Sequence, residues 1–232
     1  MQGSYHGRTF ATMGMTRSKT VYGEGFLPHM PGVFSTAFPY YSQFGVPSTT
    51  PESQLVEQCL HRLRLLLKQE TAPSDTAAII LEPVLGEGGY VPAPKAFLEG
   101  LRKICDDHSI LLIADEVQSG MGRTGTYWSI EQSGVRPDIL VFAKGIANGF
   151  PLSGIASRKE LMDLQKPGSM VSRYRTMVWL ELYNSSPLSS RLLQTCLYQG
   201  GTYAGNAVSC AAACAVIDVI EEEKILENVA AR

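Results

Sequence analysis

Three short apolar runs, each stopped by a residue that can ionise, constrain this chain more than any other feature. Ala77 to Leu81 ends at Glu82, Ile110 to Ala114 ends at Asp115, and Ile139 to Ala143 ends at Lys144. Continuous apolar runs of this length read as strands buried on both faces. Helical patterns separate and flank them. Val56, Cys59, Leu60, Leu63, Leu66 and Leu67 recur at helical spacing after Thr50-Pro51, which supplies an N-cap and a proline for the first helical position. Phe97, Leu98, Leu101 and Cys105 mark a second helix over Ala96 to His108, and Asn206 to Leu226 reads as one long helix. Strands alternating with helices predict an α/β chain with a mainly parallel sheet flanked by helices. In such sheets ligands bind beyond the carboxyl ends of the strands. The pattern therefore offers two carboxylates and an amine to one crevice.

Each of the three polar residues also has an ordinary reading. A carboxylate after a strand is often a turn or helix cap, and a lysine there is often a solvated side chain. Lys144 stands out because it follows an apolar run and precedes Gly145. An amine with its hydration reduced is suited to forming a Schiff base with a carbonyl compound.

Composition narrows the partners. The 20 basic and 22 acidic residues leave a net charge of -2 and are interspersed, so neither a nucleic-acid-binding face nor a polybasic membrane surface is expected. Five cysteines with no Cys-x-x-Cys pair fit neither a disulfide framework nor a metal site. Cys210 and Cys214, one helical turn apart, read as small buried thiols in a reducing compartment. The N-terminus lacks the apolar core of a signal peptide, and a cytoplasmic location is expected, or a mitochondrial one if a preceding segment carries a transit peptide.

Longer strings say more than single residues. Asp115-Glu116-Val117-Gln118-Ser119-Gly120, followed by Gly122-Arg123-Thr124-Gly125, resembles the signature of class III (subgroup II) pyridoxal-phosphate (PLP)-dependent aminotransferases. Glu82-Pro83-Val84 with Gly86-Glu87-Gly88-Gly89 resembles the motif that precedes it, and Phe142-Ala143-Lys144-Gly145 with Gly149-Phe150-Pro151-Leu152-Ser153-Gly154 resembles the lysine segment. Tyr5-His6-Gly7-Arg8-Thr9 and Gly201-Thr202-Tyr203-Ala204-Gly205-Asn206 match the two flanking motifs. The five occur in the family's order across most of the chain, and 4-aminobutyrate aminotransferases are the members most similar.

The resemblance implies a type I PLP-dependent transferase fold, with residues 1–232 forming part of its large cofactor-binding domain. It implies that Lys144 is the catalytic residue: it holds PLP as a Schiff base and shuttles the substrate proton. Asp115 would pair with the ring nitrogen, Gln118 would lie near the ring hydroxyl, and Glu82 would lie beside both. Tyr5 would stack on the ring, with His6 and Val117 also in the cofactor site, and Thr202 would reach the phosphate in the partner subunit of a homodimer. Arg8 would bind the donor carboxylate distant from the reacting amine, and Glu87 would pair with a C-terminal arginine until a dicarboxylic substrate displaces it. The implied reaction moves an amino group from an ω-amino acid, 4-aminobutyrate first, to a 2-oxo acid. Ornithine-type and acetylornithine-type aminotransferases, decarboxylases, racemases and lyases share these motifs. An inactive truncated fragment is the alternative from another class.

Two departures from the family's pattern accompany the resemblance. The phosphate-cradling segment expected before Tyr5 and the C-terminal domain expected after Arg232 make the chain look truncated at both ends. Residues 171–199 form an atypical insertion between Met170 and Gly200. Val171-Ser172 and Gln199 can be encoded by splice-donor and splice-acceptor sequences, so a retained intron is expected, with a surface insertion as the alternative.

Overall fold

The computed structural model describes residues 1–164 and 204–232. The insertion at 171–199 and Thr202 lie outside the described residues. The chain divides into two compact units, Met1–Ile113 with Gln132–Pro137, and Ala114–Glu131 with Asp138–Arg232.

The first unit opens with a turn-rich segment carrying α1 (Phe10–Met15) and α2 (Tyr41–Phe44), and continues into the long α3 (Glu52–Gln69). Helix α3 starts one residue later than its sequence suggests. Pro51 is extended, with ψ 128°, and occupies the N-cap position, so Glu52 is the first helical residue. Strand β1 (Ala78–Leu81) follows, then the two-residue strands β2 (Val84–Leu85) and β3 (Val91–Pro92), which pair antiparallel around the Gly86–Tyr90 turn. Helix α4 (Lys95–His108) leads into β4 (Leu111–Asp115).

Helices α3 and α4 pack against each other through the stripes their spacing marked. Leu55, Cys59, Leu63 and Leu67 are buried on α3, and Phe97, Leu98, Leu101 and Cys105 on α4. A Cβ at Gly100 would run into the Leu60 side chain, so glycine is what lets the two helices approach there. Phe38 meets Phe97 edge-on with ring centroids 5.9 Å apart. Each such fully buried side chain contributes about 1.5–3 kcal/mol. Burial also pushes the Cys59 thiol up to about 12.

In the second unit, β5 (Ile139–Phe142) pairs antiparallel with β6 (Gly154–Ser157), in the register Ile139 to Ser157 and Phe142 to Gly154. Helices α5 (Lys159–Met162), α6 (Ala207–Glu222) and α7 (Ile225–Ala230) complete it. Strand β4 belongs partly to each unit, and the strand order is β1-β4-β5-β6 in a mixed, mainly parallel sheet.

Three further details differ from expectation. Strands β1, β4 and β5 alternate between buried and half-buried side chains rather than being buried on both faces. The long C-terminal helix is two helices. Asn206 caps α6 by accepting from the backbone N–H groups of Val208 and Ser209, both at 3.1 Å, but the run Glu221-Glu222-Glu223 sets like charges at the negative end of the helix dipole. The chain breaks there at Lys224, whose φ is +51°. Finally, Cys210 and Cys214 are half-exposed rather than buried. The buried stripe of α6 runs through Ser209, Ala213, Ile217 and Ile220 instead. Among the described residues no helix is long and apolar enough to cross a membrane.

Candidate active site

In the first unit Glu82 follows β1 directly and is buried. One carboxylate oxygen accepts the Tyr5 N–H at 2.6 Å and the other the Gly86 N–H at 2.8 Å. Glu82 therefore fastens the Tyr5 segment to the glycine-rich turn. His6 is buried as well; its N–H donates to Thr16 Oγ1 at 3.0 Å, and that hydroxyl donates to the Gly7 carbonyl at 2.9 Å.

Four charged or aromatic groups gather around Tyr22. Its ring meets Tyr5 edge-on, with centroids 4.9 Å apart. The Arg8 guanidinium lies 4.9 Å from its centroid, while Arg8 Nε donates to Tyr5 Oη at 3.1 Å. The Tyr22 hydroxyl donates to Glu87 Oε2 at 2.8 Å, and Lys19 Nζ lies 3.6 Å from the same oxygen. Tyr5, Arg8 and Glu87 thus share one cluster with Tyr22 and Lys19, two residues that the sequence reading does not single out. Lys19 and Tyr22 sit in a turn-rich stretch without periodicity, where no local pattern marks them.

In the second unit Asp115 is the last residue of β4 and is buried, with Oδ1 accepting the Val117 N–H at 3.1 Å. Val117 and Gln118 are half-buried in the turn that follows. Lys144 leaves β5 after Ala143 and opens a short 3-10 turn. It is exposed, and its ammonium donates to Gln118 Oε1. Its φ of +47° is left-handed, and Asn148 at +41° shares that conformation a few residues on. Such backbone costs a non-glycine residue about 1–2 kcal/mol, and strain of this kind clusters at functional sites.

Glu116 is the other residue missed. It is only 1 % exposed, and it accepts the Ile130 N–H at 2.7 Å, the Ser119 hydroxyl and the Ser129 N–H. Glu116 lies just past the end of β4, and its carboxylate is taken up by the turn that follows. Glycine at 120 completes this turn, because a Cβ there would meet the Glu116 carbonyl at 2.7 Å and the Trp128 ring at 2.8 Å. Burial, opposed by these hydrogen bonds, holds the Glu116 carboxyl above the ordinary glutamate range. A raised folded-state value stabilises below the unfolded value and loses that contribution as pH rises through the folded one. Glu116→Gln, which cannot ionise, should therefore flatten the decline in stability above about pH 4.3, the unperturbed glutamate value. Denaturant titrations between pH 4 and pH 8 check this, and parallel curves for both proteins would exclude it.

The whole chain, residues 1–232, matches the family described as Aminotransferase class-III. The chain belongs to the class III aminotransferase family. It is 43% identical over 228 residues to the 5-aminovalerate aminotransferase DavT of Pseudomonas putida, covering 97% of this chain and 44% of that protein. Against the 4-aminobutyrate aminotransferase GabT of Escherichia coli it is 40% identical over 227 residues, with the same shares covered. A thermostable (S)-enantioselective omega-transaminase from Thermomicrobium roseum superimposes with a TM-score of 0.78 at 32% identity, over 99% of this chain and 45% of that one. The taurine:2-oxoglutarate aminotransferase of Bifidobacterium kashiwanohense, solved with PLP and glutamate, gives 0.74 at 27% identity over 97% and 44%. The class III chain thus spans less than half the length of the curated relatives it matches.

The residues present fit the family's cofactor chemically. Asp115 offers a buried carboxylate suited to a protonated ring nitrogen, Lys144 an amine suited to an aldehyde, and Gln118 an amide that already engages that amine.

Proposed function

We propose that this chain takes part in a PLP-dependent transamination that moves an amino group from an ω-amino acid of the 4-aminobutyrate and 5-aminovalerate class to a 2-oxo acid. The observation that carries the reading is Lys144, set in left-handed backbone at the end of β5 with its ammonium bonded to Gln118. When bound, PLP supplies an electron sink for the carbon bearing the amino group. Asp115 holds a proton on the ring nitrogen by its charge, Lys144 Nζ moves the proton at the donor carbon, and Gln118 orients the amine. Arg8 would bind the distal carboxylate of the donor through its planar fork.

The choice of donor rests on relatives named for 4-aminobutyrate and 5-aminovalerate. Relatives named for 2-aminoadipate, acetylornithine and the racemisation of alanine and serine are 34%, 33% and 31% identical. A donor panel separates these classes: 4-aminobutyrate, 5-aminovalerate, ornithine, acetylornithine and butylamine, with 2-oxoglutarate or pyruvate as acceptor. Arg8→Ala should raise KM for 4-aminobutyrate about ten- to hundredfold, the worth of hydrogen bonds to a charged group, while sparing butylamine. An equal loss on both donors would make Arg8 structural. Absence of turnover on every donor would favour the inactive-fragment reading.

A further inference from the structure

Tyr22 touches both Arg8, to which donor recognition is assigned above, and Glu87. Its ring faces the Arg8 guanidinium at 4.9 Å, and its hydroxyl donates to Glu87 at 2.8 Å. A guanidinium on an exposed side chain is otherwise free to sample many rotamers, and the entropy lost on binding is smaller when it is already held. Here Tyr5 Oη takes Arg8 Nε at 3.1 Å, and the Tyr22 ring supports the guanidinium plane. The terminal amino groups remain for the two oxygens of a carboxylate. The same phenol ties down Glu87, whose carboxylate Lys19 also meets at 3.6 Å. The hydrogen bond to Glu87 is the largest of the influences that raise the Tyr22 phenol above its ordinary range.

We propose that Tyr22 is a positioning residue for carboxylate-bearing donors, its ring seating Arg8 and its hydroxyl retaining Glu87. This rests on the aminotransferase reading above. The test compares the wild-type protein with Tyr22→Ala, Tyr22→Leu and Tyr22→Phe, supplied with PLP and 2-oxoglutarate. KM and kcat are measured for 4-aminobutyrate and butylamine, and calorimetry gives the dissociation constant of butyrate as a carboxylate probe. Losing a cation–π contact at an exposed site corresponds to about a two- to fivefold change. Tyr22→Ala should therefore raise KM for 4-aminobutyrate and the butyrate dissociation constant by about that factor, with kcat preserved and the selectivity over butylamine reduced to match. Tyr22→Phe, which keeps the ring, should recover most of the loss in both measurements. Tyr22→Leu keeps apolar bulk without the π face and should behave like the alanine variant, which preserves the test if alanine impairs folding. An unchanged selectivity ratio and butyrate affinity in both Tyr22→Ala and Tyr22→Leu would overturn the proposal, as would a Tyr22→Phe defect equal to theirs. A wild-type protein that turns over neither donor would overturn the aminotransferase reading itself, and this proposal with it.

Discussion

Lys144→Ala is expected to eliminate the covalent adduct that borohydride fixes between the protein and PLP, and to lower turnover by about 10²–10⁴-fold, the usual worth of a positioned acid–base group. The variant isolates the amine unusually well. Lys144 has a φ of +47°, and the strain there comes from the Cβ and backbone, which alanine shares. Loss of activity in Lys144→Ala therefore cannot be assigned to a changed backbone preference. Lys144→Gly is the matching control: it also lacks the amine but relieves about 1–2 kcal/mol of strain, so it should be at least as stable as the alanine variant and equally inactive. Thermal melts and reduced-adduct absorbance measure the two properties separately. An adduct that survives in Lys144→Ala would assign the chemistry to another lysine.

The second large effect is at Asp115. The carboxylate is buried, and its Oδ1 already accepts the Val117 N–H at 3.1 Å. An opposite charge within about 4–6 Å shifts a pKa by about 1–3 units. Asp115→Asn removes the charge while keeping an oxygen for Val117, so the turn should persist. The ratio of protonated to unprotonated ring nitrogen should then fall by about 10- to 1000-fold and lower kcat, whereas PLP should still be captured by Lys144. Parallel measurement of adduct yield and kcat reads this split. If Asp115→Asn loses adduct and turnover together, Asp115 serves to build the turn. If it loses neither, the carboxylate does not act on the ring.

Much of this was legible because it is local. Apolar runs that stop at Glu82, Asp115 and Lys144 mark strand ends, since a strand's side chains respond to burial residue by residue. The stripes on α3 and α4 are visible because helical spacing repeats through Val56 to Leu67 and Phe97 to Cys105. What escaped was set by contacts distant in sequence or by competition between local forces. The Tyr22 to Glu87 hydrogen bond joins residues 65 apart in sequence, and no periodicity reports it. Glu116 reads as a twin of Asp115, yet one serves the turn through Ile130 and the other is the candidate cofactor ligand. The helix pattern after Asn206 is continuous in apolar residues, but the three glutamates ending at Glu223 oppose the helix dipole and the chain breaks at Lys224. Glu82 is legible at a strand end, but the Tyr5 N–H it accepts lies 77 residues away in sequence and is not.

The role of Lys144 is read by peptide mapping with mass spectrometry after the purified protein is incubated with PLP and reduced with borohydride. One stoichiometric modification, on Lys144, is expected, and it should be lost when 4-aminobutyrate is added without an acceptor before reduction. Modification spread over exposed lysines such as Lys19, Lys95 and Lys159, with Lys144 no more labelled than they are, would contradict it.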